Sequence, residues 1–166
     1  MNLEKNREVM IENQLRPNKI TNSDVLQAFM NTSKEQFISE DKINICYSDQ
    51  DIFIKDRRGY LKNLHLAQIL HFADIKNDEK VLHIGGLTGY LSVLISKLCN
   101  KIYVTDNDQS FVDNIIKNFS NNEVTNGKVF MEEFSEGLKS EGPVSYTHLR
   151  AHETEADLVC RLLLEK

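Results

Sequence analysis

The chain has 166 residues, 40% hydrophobic and 27% charged, a length and composition that suit one folded domain rather than two. A net charge of −5, from 20 Lys and Arg against 25 Asp and Glu, excludes the clustered basic footprint of a nucleic-acid binder. No apolar run approaches the roughly 18 residues of a membrane helix, and Met1-Asn2-Leu3-Glu4-Lys5-Asn6 lacks a signal-peptide core. Cys46, Cys99 and Cys160 are widely spaced without a Cys-x-x-Cys pair, which excludes a disulfide scaffold or zinc ribbon, implies no metal, and suits a reducing cytoplasm.

In chain order, Glu4 to Leu15 is helix-forming and stops before Pro17, which disfavours helical geometry at Arg16. Thr21-Asn22-Ser23-Asp24 is a capped start for a helix over Val25–Met30. Residues 34–58 alternate poorly and read as short strands and loops. Leu66, Ile69, Leu70 and Ala73 share one helical face, with Asn63 as the expected cap. Lys76-Asn77-Asp78 then turns the chain into Lys80-Val81-Leu82-His83-Ile84, a short apolar run of the kind buried in parallel sheets.

That strand enters Gly85-Gly86-Leu87-Thr88-Gly89, followed by a helix dense in apolar residues from Tyr90 to Leu98. A second strand, Lys101–Thr105, ends in Asp106; an amphipathic helix presents Phe111, Val112, Ile115, Ile116 and Phe119; Asn126-Gly127 turns into a third strand, Lys128–Met131. Strand, glycine loop, helix, strand, acid, helix, strand is the first half of a Rossmann-like, doubly wound α/β sheet. Asp106 lies 21 residues after Gly85, close to the spacing of about 20 at which such folds place a ribose-binding acid. Glycines let the backbone approach a ligand, and loop amides facing an anion are expected at the helix start. The plainer reading is a flavodoxin-like turn in which Asp106 caps the helix from Gln109. The nicotinamide pattern G-x-G-x-x-G does not fit, because Leu87 occupies its second position.

Val81-Leu82-His83-Ile84-Gly85-Gly86-Leu87-Thr88-Gly89-Tyr90 resembles the first motif of class I S-adenosylmethionine-dependent methyltransferases. Met10-Ile11-Glu12-Asn13-Gln14-Leu15-Arg16-Pro17, and Gly59-Tyr60-Leu61-Lys62-Asn63 through Ala73, narrow the likeness to the protein-L-isoaspartate O-methyltransferase family in its short bacterial form. The resemblance implies S-adenosylmethionine as cofactor and methyl transfer to the free α-carboxylate of isoaspartyl residues in damaged proteins or peptides, with no nucleic-acid or membrane partner. It also implies cofactor contacts at Gly85, Gly86, Thr88, Gly89 and Asp106, with Glu133 beside the adenine. Three residues depart from the family pattern: His83 replaces an acid, Leu87 replaces a glycine, and Leu61 stands near the place of a substrate-loop serine. No catalytic residue carries over, and His83 reads as a packed strand residue rather than a general base. Arg57, Arg58 and Lys62 have the charge to attract the substrate carboxylate, but they read as an ordinary solvated loop. A non-catalytic binding protein, or a methyltransferase with another substrate, is the alternative.

The sequence changes style after Pro143: Asn and Ile vanish while Leu, Arg and His rise. Val144-Ser145-Tyr146-Thr147-His148-Leu149-Arg150-Ala151-His152-Glu153-Thr154, a three-residue gap, and Leu158 through Lys166 resemble translated sequencing-adapter DNA with an index between two fixed blocks. Three divisions follow: 1–75 as an N-terminal helical and substrate-loop region, 76–143 as the first half of the cofactor domain, and 144–166 as a non-native tail. On this reading only three strands are native, the strand over residues 80–84 is an exposed edge, and the chain is an unstable fragment with weak or absent cofactor affinity and no turnover. Sequencing untagged genomic template across codon 143 is expected to show a different continuation that reads strand, acidic loop, helix; recovery of the same Val144–Lys166 there overturns the reading.

Overall fold

Asn2 starts the first helix by accepting the Lys5 N–H on its side chain at 3.0 Å. In the computed structural model, which describes residues 2–132 and the backbone of residues 147–150, this helix, α1 (Leu3–Met10), runs directly into a π-helical turn over Ile11–Leu15. The Arg16 N–H reaches back five residues to the Ile11 carbonyl, and a 3-10 turn over Arg16–Asn18 follows. Arg16 keeps helical angles, φ −59° and ψ −45°, against the sequence expectation. A regular α-helix would drive the Pro17 ring into the carbonyl four residues back, and the wider π turn relieves that clash without ending the helix. Lys19, with φ 64°, then stops it in the left-handed region.

Helix α2 (Ser23–Met30) begins where the capping pattern placed it, since the Asn22 side chain accepts the Asp24 and Val25 N–H groups at 2.9 and 3.2 Å. Residues 34–60 form two 3-10 turns, Lys34–Phe37 and Glu40–Ile45, and an antiparallel pair, β1 (Ile52–Lys55) with β2 (Arg58–Tyr60). Helix α3 (Asn63–Ala73) starts after Lys62 without a side-chain cap, so Asn63 does not serve as predicted. Its amide instead donates to the Cys46 carbonyl at 3.0 Å and accepts the Lys34 ammonium at 2.8 Å. Lys34 is fully buried, with the Tyr60 ring centroid 5.7 Å from its Nζ. An acceptor for a buried cation is worth more than a helix cap, which decides where Asn63 points.

The chain divides into two compact units, Met1–Asp74 and Ile75–Lys166. The second unit carries a parallel sheet of β3 (Lys80–Ile84), β4 (Lys101–Asp106), β5 (Gly127–Met131) and β6 (Thr147–Arg150), in the order β5-β4-β3-β6. Helix α4 (Tyr90–Ser96), buried along its whole length, connects β3 to β4, and α5 (Gln109–Asn121) connects β4 to β5. Within α5, Phe111, Val112, Ile115 and Phe119 are buried as expected, whereas Ile116 is 53% exposed. The expected exposed edge is not found: β3 pairs with β4 on one side and with β6 on the other, Val81 opposite Thr147 and Ile84 opposite Arg150. Unpaired main-chain N–H and C=O groups on a buried strand demand a partner, and the ladder that satisfies them uses no side chains. Chain order reverses at β3, so the crevice at the carboxyl ends of β3 and β6 is the switch point of the sheet. Among the described residues no helix is long and apolar enough to cross a membrane.

Burial lowers the Lys34 pKa to about 8 from 10.5, offset in part by Cys46 and Asp51. Between those values the unfolded chain holds a proton that the folded chain has released, so stability rises with pH there. From about pH 9 the thiols of Cys46 and Cys99, pushed up to about 11 by burial, act in the opposite sense. Melting temperature is therefore expected to rise between pH 8 and 9, and Lys34→Met to remove that rise; a variant with an unchanged slope would assign it elsewhere.

Candidate cofactor site

The loop from β3 to α4 makes special demands on the backbone at four positions. Gly85 and Gly89 have φ values of 81° and 94°, which glycine adopts without penalty. A Cβ on Gly86 would stand 2.5 Å from Val104 Cγ1 and 2.7 Å from Ile115 Cδ1, so this glycine lets the loop press against β4 and α5. Leu87 also lies in the left-handed region, at φ 52°, a conformation that costs a side-chain-bearing residue about 1–2 kcal/mol. Its side chain is buried, 4% exposed.

The loop amides do not stand open to an anion, contrary to expectation. Gly85 and Gly86 N–H both donate to the Thr105 carbonyl, at 2.8 and 3.3 Å, and Gly89 N–H donates to the Gly86 carbonyl at 2.9 Å. Leu87 N–H donates to Asp106 Oδ2 at 3.0 Å. Thr88 is nearly buried, and its carbonyl accepts the Asn118 side-chain amide at 2.7 Å.

Asp106, at the tip of β4, is fully buried. Its Oδ1 accepts the Asp108 N–H at 3.0 Å, while Asp108 caps α5 by accepting the Ser110 N–H at 2.9 Å. The capping role considered for Asp106 thus belongs to Asp108, two residues on. A carboxylate offers about four acceptor directions, and these two main-chain bonds fall one on each oxygen of Asp106. The structure therefore brings Gly85, Gly86, Thr88, Gly89 and Asp106 to one loop cluster at the carboxyl end of β3 and β4. Glu133 lies outside the described residues. Among the described residues, no cluster of side chains suits a metal ion.

His83 sits one residue before the end of β3 and shares a 2.8 Å hydrogen bond with Ser92 Oγ through Nδ1. Burial pushes its pKa down to about 4, against the pull of Asp106. At pH 7 the imidazole is neutral and bonded, which agrees with a packed strand residue and leaves it unfit to gather protons. Sequence reasoning missed Asp108, Asn118 and the acceptor of the Leu87 amide. The first two were signalled by an Asp-x-Asp spacing and by a polar residue on the buried stripe of α5, seven positions after Phe111.

A family model described as protein-L-isoaspartate(D-aspartate) O-methyltransferase matches residues 4–157. The protein-L-isoaspartate O-methyltransferase of Opitutus terrae is 30% identical over 97 residues, 58% of this chain and 42% of that protein. A solved structure described as a protein-L-isoaspartate O-methyltransferase superposes with a TM-score of 0.71 at 15% identity, covering 87% of this chain and 47% of that one. A Plasmodium falciparum structure, described as a putative member in complex with S-adenosyl-L-homocysteine, gives 0.65 at 16% identity over 82% of this chain and 65% of that one. These likenesses establish the class I methyltransferase fold. The chain spans about half the length of the curated relatives it matches.

Because an unfolded histidine gains a proton near pH 6.5 and the buried His83 resists until about pH 4, stability contributed by the neutral form is lost as pH falls through that interval. His83→Gln is expected to flatten the fall in melting temperature between pH 6.5 and 4. An unchanged slope would place the acid sensitivity in the carboxylates.

Proposed function

Since the chain belongs to the protein-L-isoaspartate(D-aspartate) O-methyltransferase family, we propose that it binds S-adenosylmethionine at the Gly85–Gly89 loop and serves methyl transfer to the free α-carboxylate of isoaspartyl residues in proteins or peptides. The observation that carries this reading is the Asp106 carboxylate, held at the strand tip beside a glycine loop at the switch point of a parallel sheet. When bound, S-adenosylmethionine supplies an electrophilic methyl group on a sulfonium.

The residues present fit that group in chemistry. The Asp106 carboxylate is an acceptor of the kind that holds the two hydroxyls of a ribose, each bond to a charged acceptor being worth about 1.5–3 kcal/mol. Gly85, Gly86 and Gly89 keep side chains out of the loop, and Thr88 lies between them. A substrate carboxylate is already ionised at pH 7, so no side chain has to remove a proton, and a neutral His83 is compatible with the reaction. Catalysis then rests on holding carboxylate and methyl in line away from water, a proximity effect of up to roughly 7–11 kcal/mol. Acidic net charge favours neither nucleic acid nor an anionic membrane as partner, and widely spaced cysteines, of which Cys46 and Cys99 are buried and free, favour a cytoplasmic setting. The family match runs to residue 157 and so crosses into residues 144–166, the stretch read from sequence as a non-native tail. A non-catalytic descendant is the second reading, favoured by an Asp106 that is sealed rather than open.

Calorimetric titration of the 166-residue chain with S-adenosylmethionine is expected to show saturable binding weaker than micromolar. Asp106→Ala should weaken it by about ten- to a hundredfold, the loss of one such bond. A folded chain that takes up none overturns the proposal. Labelled-methyl transfer to an isoaspartyl peptide, but not to its aspartyl isomer, by the intact protein of the same gene separates the catalytic from the non-catalytic reading.

A further inference from the structure

We propose that Asn126 is a covalent modification site: the fold requires the Asn126–Gly127 pair, keeps it unreactive while the α4–β5 junction is closed, and lets it rearrange to an isoaspartyl linkage when that junction opens. The modification does not depend on the reading of the donor site.

Asn126–Gly127 is the one Asn–Gly dipeptide of the chain. Glycine leaves its main-chain nitrogen unshielded and its backbone free to turn, so an asparagine before it closes a succinimide ring more readily than before other residues. The Gly127 nitrogen, giving up its proton, bonds to the Asn126 side-chain carbonyl carbon, and the side-chain nitrogen leaves as ammonia. Water then opens the ring. Attack at the α-carbonyl breaks its bond to the Gly127 nitrogen, which leaves the chain joined through the side-chain carbonyl and the α-carboxylate free.

Packing on both sides explains why neither residue is replaceable. The Asn126 side-chain nitrogen donates to the Ser96 and Cys99 carbonyls, at 2.9 and 3.1 Å, where α4 ends and its last carbonyls lack helical donors. An aspartate there would turn acceptors toward acceptors. A Cβ on Gly127 would stand 2.3 and 2.9 Å from two ring carbons of Phe119, which is itself buried.

The same contacts restrain the reaction. Ring closure needs the Asn126 side chain and the Gly127 main chain to turn toward each other. The side chain is tied to the end of α4, the Asn126 carbonyl accepts the Ile102 N–H at 3.0 Å, and Gly127 starts β5 opposite Ile102. Rearrangement therefore proceeds from the open junction, at a rate set by the fraction of molecules in it. Afterwards the main chain is one methylene longer and a carboxylate replaces the amide donor, so Ser96 and Cys99 do not regain their partner.

Peptide mapping by mass spectrometry, with fragmentation that separates isoaspartyl from aspartyl, tests this on the full chain aged in near-neutral buffer. Each rate at Asn126 is divided by that of the same polypeptide in concentrated guanidinium, which cancels the intrinsic effect of sequence. The folded chain is expected to react at least about tenfold more slowly than the denatured one, with isoaspartyl as the main product. Phe119→Leu, which loosens the wall against Gly127, should raise the ratio about threefold. Should that variant fold poorly, hydrogen exchange of the aged parent decides: the Ile102 amide should be protected in intact molecules and unprotected in modified ones. A ratio of one for the parent, a folded Phe119→Leu that ages as the parent does, or modified molecules that keep the Ile102 amide protected overturns the proposal. Aspartyl as the only product, or earlier reaction at another asparagine in the denatured chain, overturns it equally.

Discussion

One buried carboxylate ties the second unit together. Asp106 takes one N–H from the loop that leaves β3 and one from the loop that leaves β4, so the starts of both crossovers are fastened to a single side chain. A charge removed from water without partners is expensive, and the two main-chain donors make this one tolerable. The arrangement constrains its neighbours in turn. Leu87 must present its N–H inward, which sets its unusual φ, and Asp108 must start α5 with its own side chain, because Asp106 points elsewhere.

The glycines acquire a different meaning in this setting. Gly86 is required by the side chains of Val104 and Ile115, and Gly89 by its positive φ. Much of what reads as a ligand-binding signature is therefore a packing requirement of the strand–loop–helix unit. The ligand chemistry resides in the acid and in how accessible it is. His83 fits the same account: an imidazole kept neutral by burial, bonded to Ser92, fills a strand position where an acid would be a second buried charge close to Asp106.

Local signals proved legible where the physics is local. Asn22 caps α2, the Asn126-Gly127 turn leads into β5, and the apolar run before Gly85 is a buried parallel strand, each decided within a few residues of sequence. Long-range demands were not legible. Asn63 abandons its capping place for Lys34, 29 positions away, and Pro17 is absorbed by a widened turn rather than ending the helix. The left-handed strain at Leu87 was visible in the motif, but its partner on Asp106 depends on the crossover that brings β4 alongside β3. The pairing of β3 with β6 was missed for a related reason: side-chain pattern identifies a strand, and says little about which main chain will lie beside it.

The ladder between β3 and β6 joins four successive residue pairs. A main-chain ladder selects for extension and direction more than for side-chain identity. A synthetic peptide offered in trans could displace residues 147–150, and two molecules trading that segment would interlock reciprocally. Assembly state and strand exchange would then be set by local concentration of the competing segment rather than by complementary surfaces.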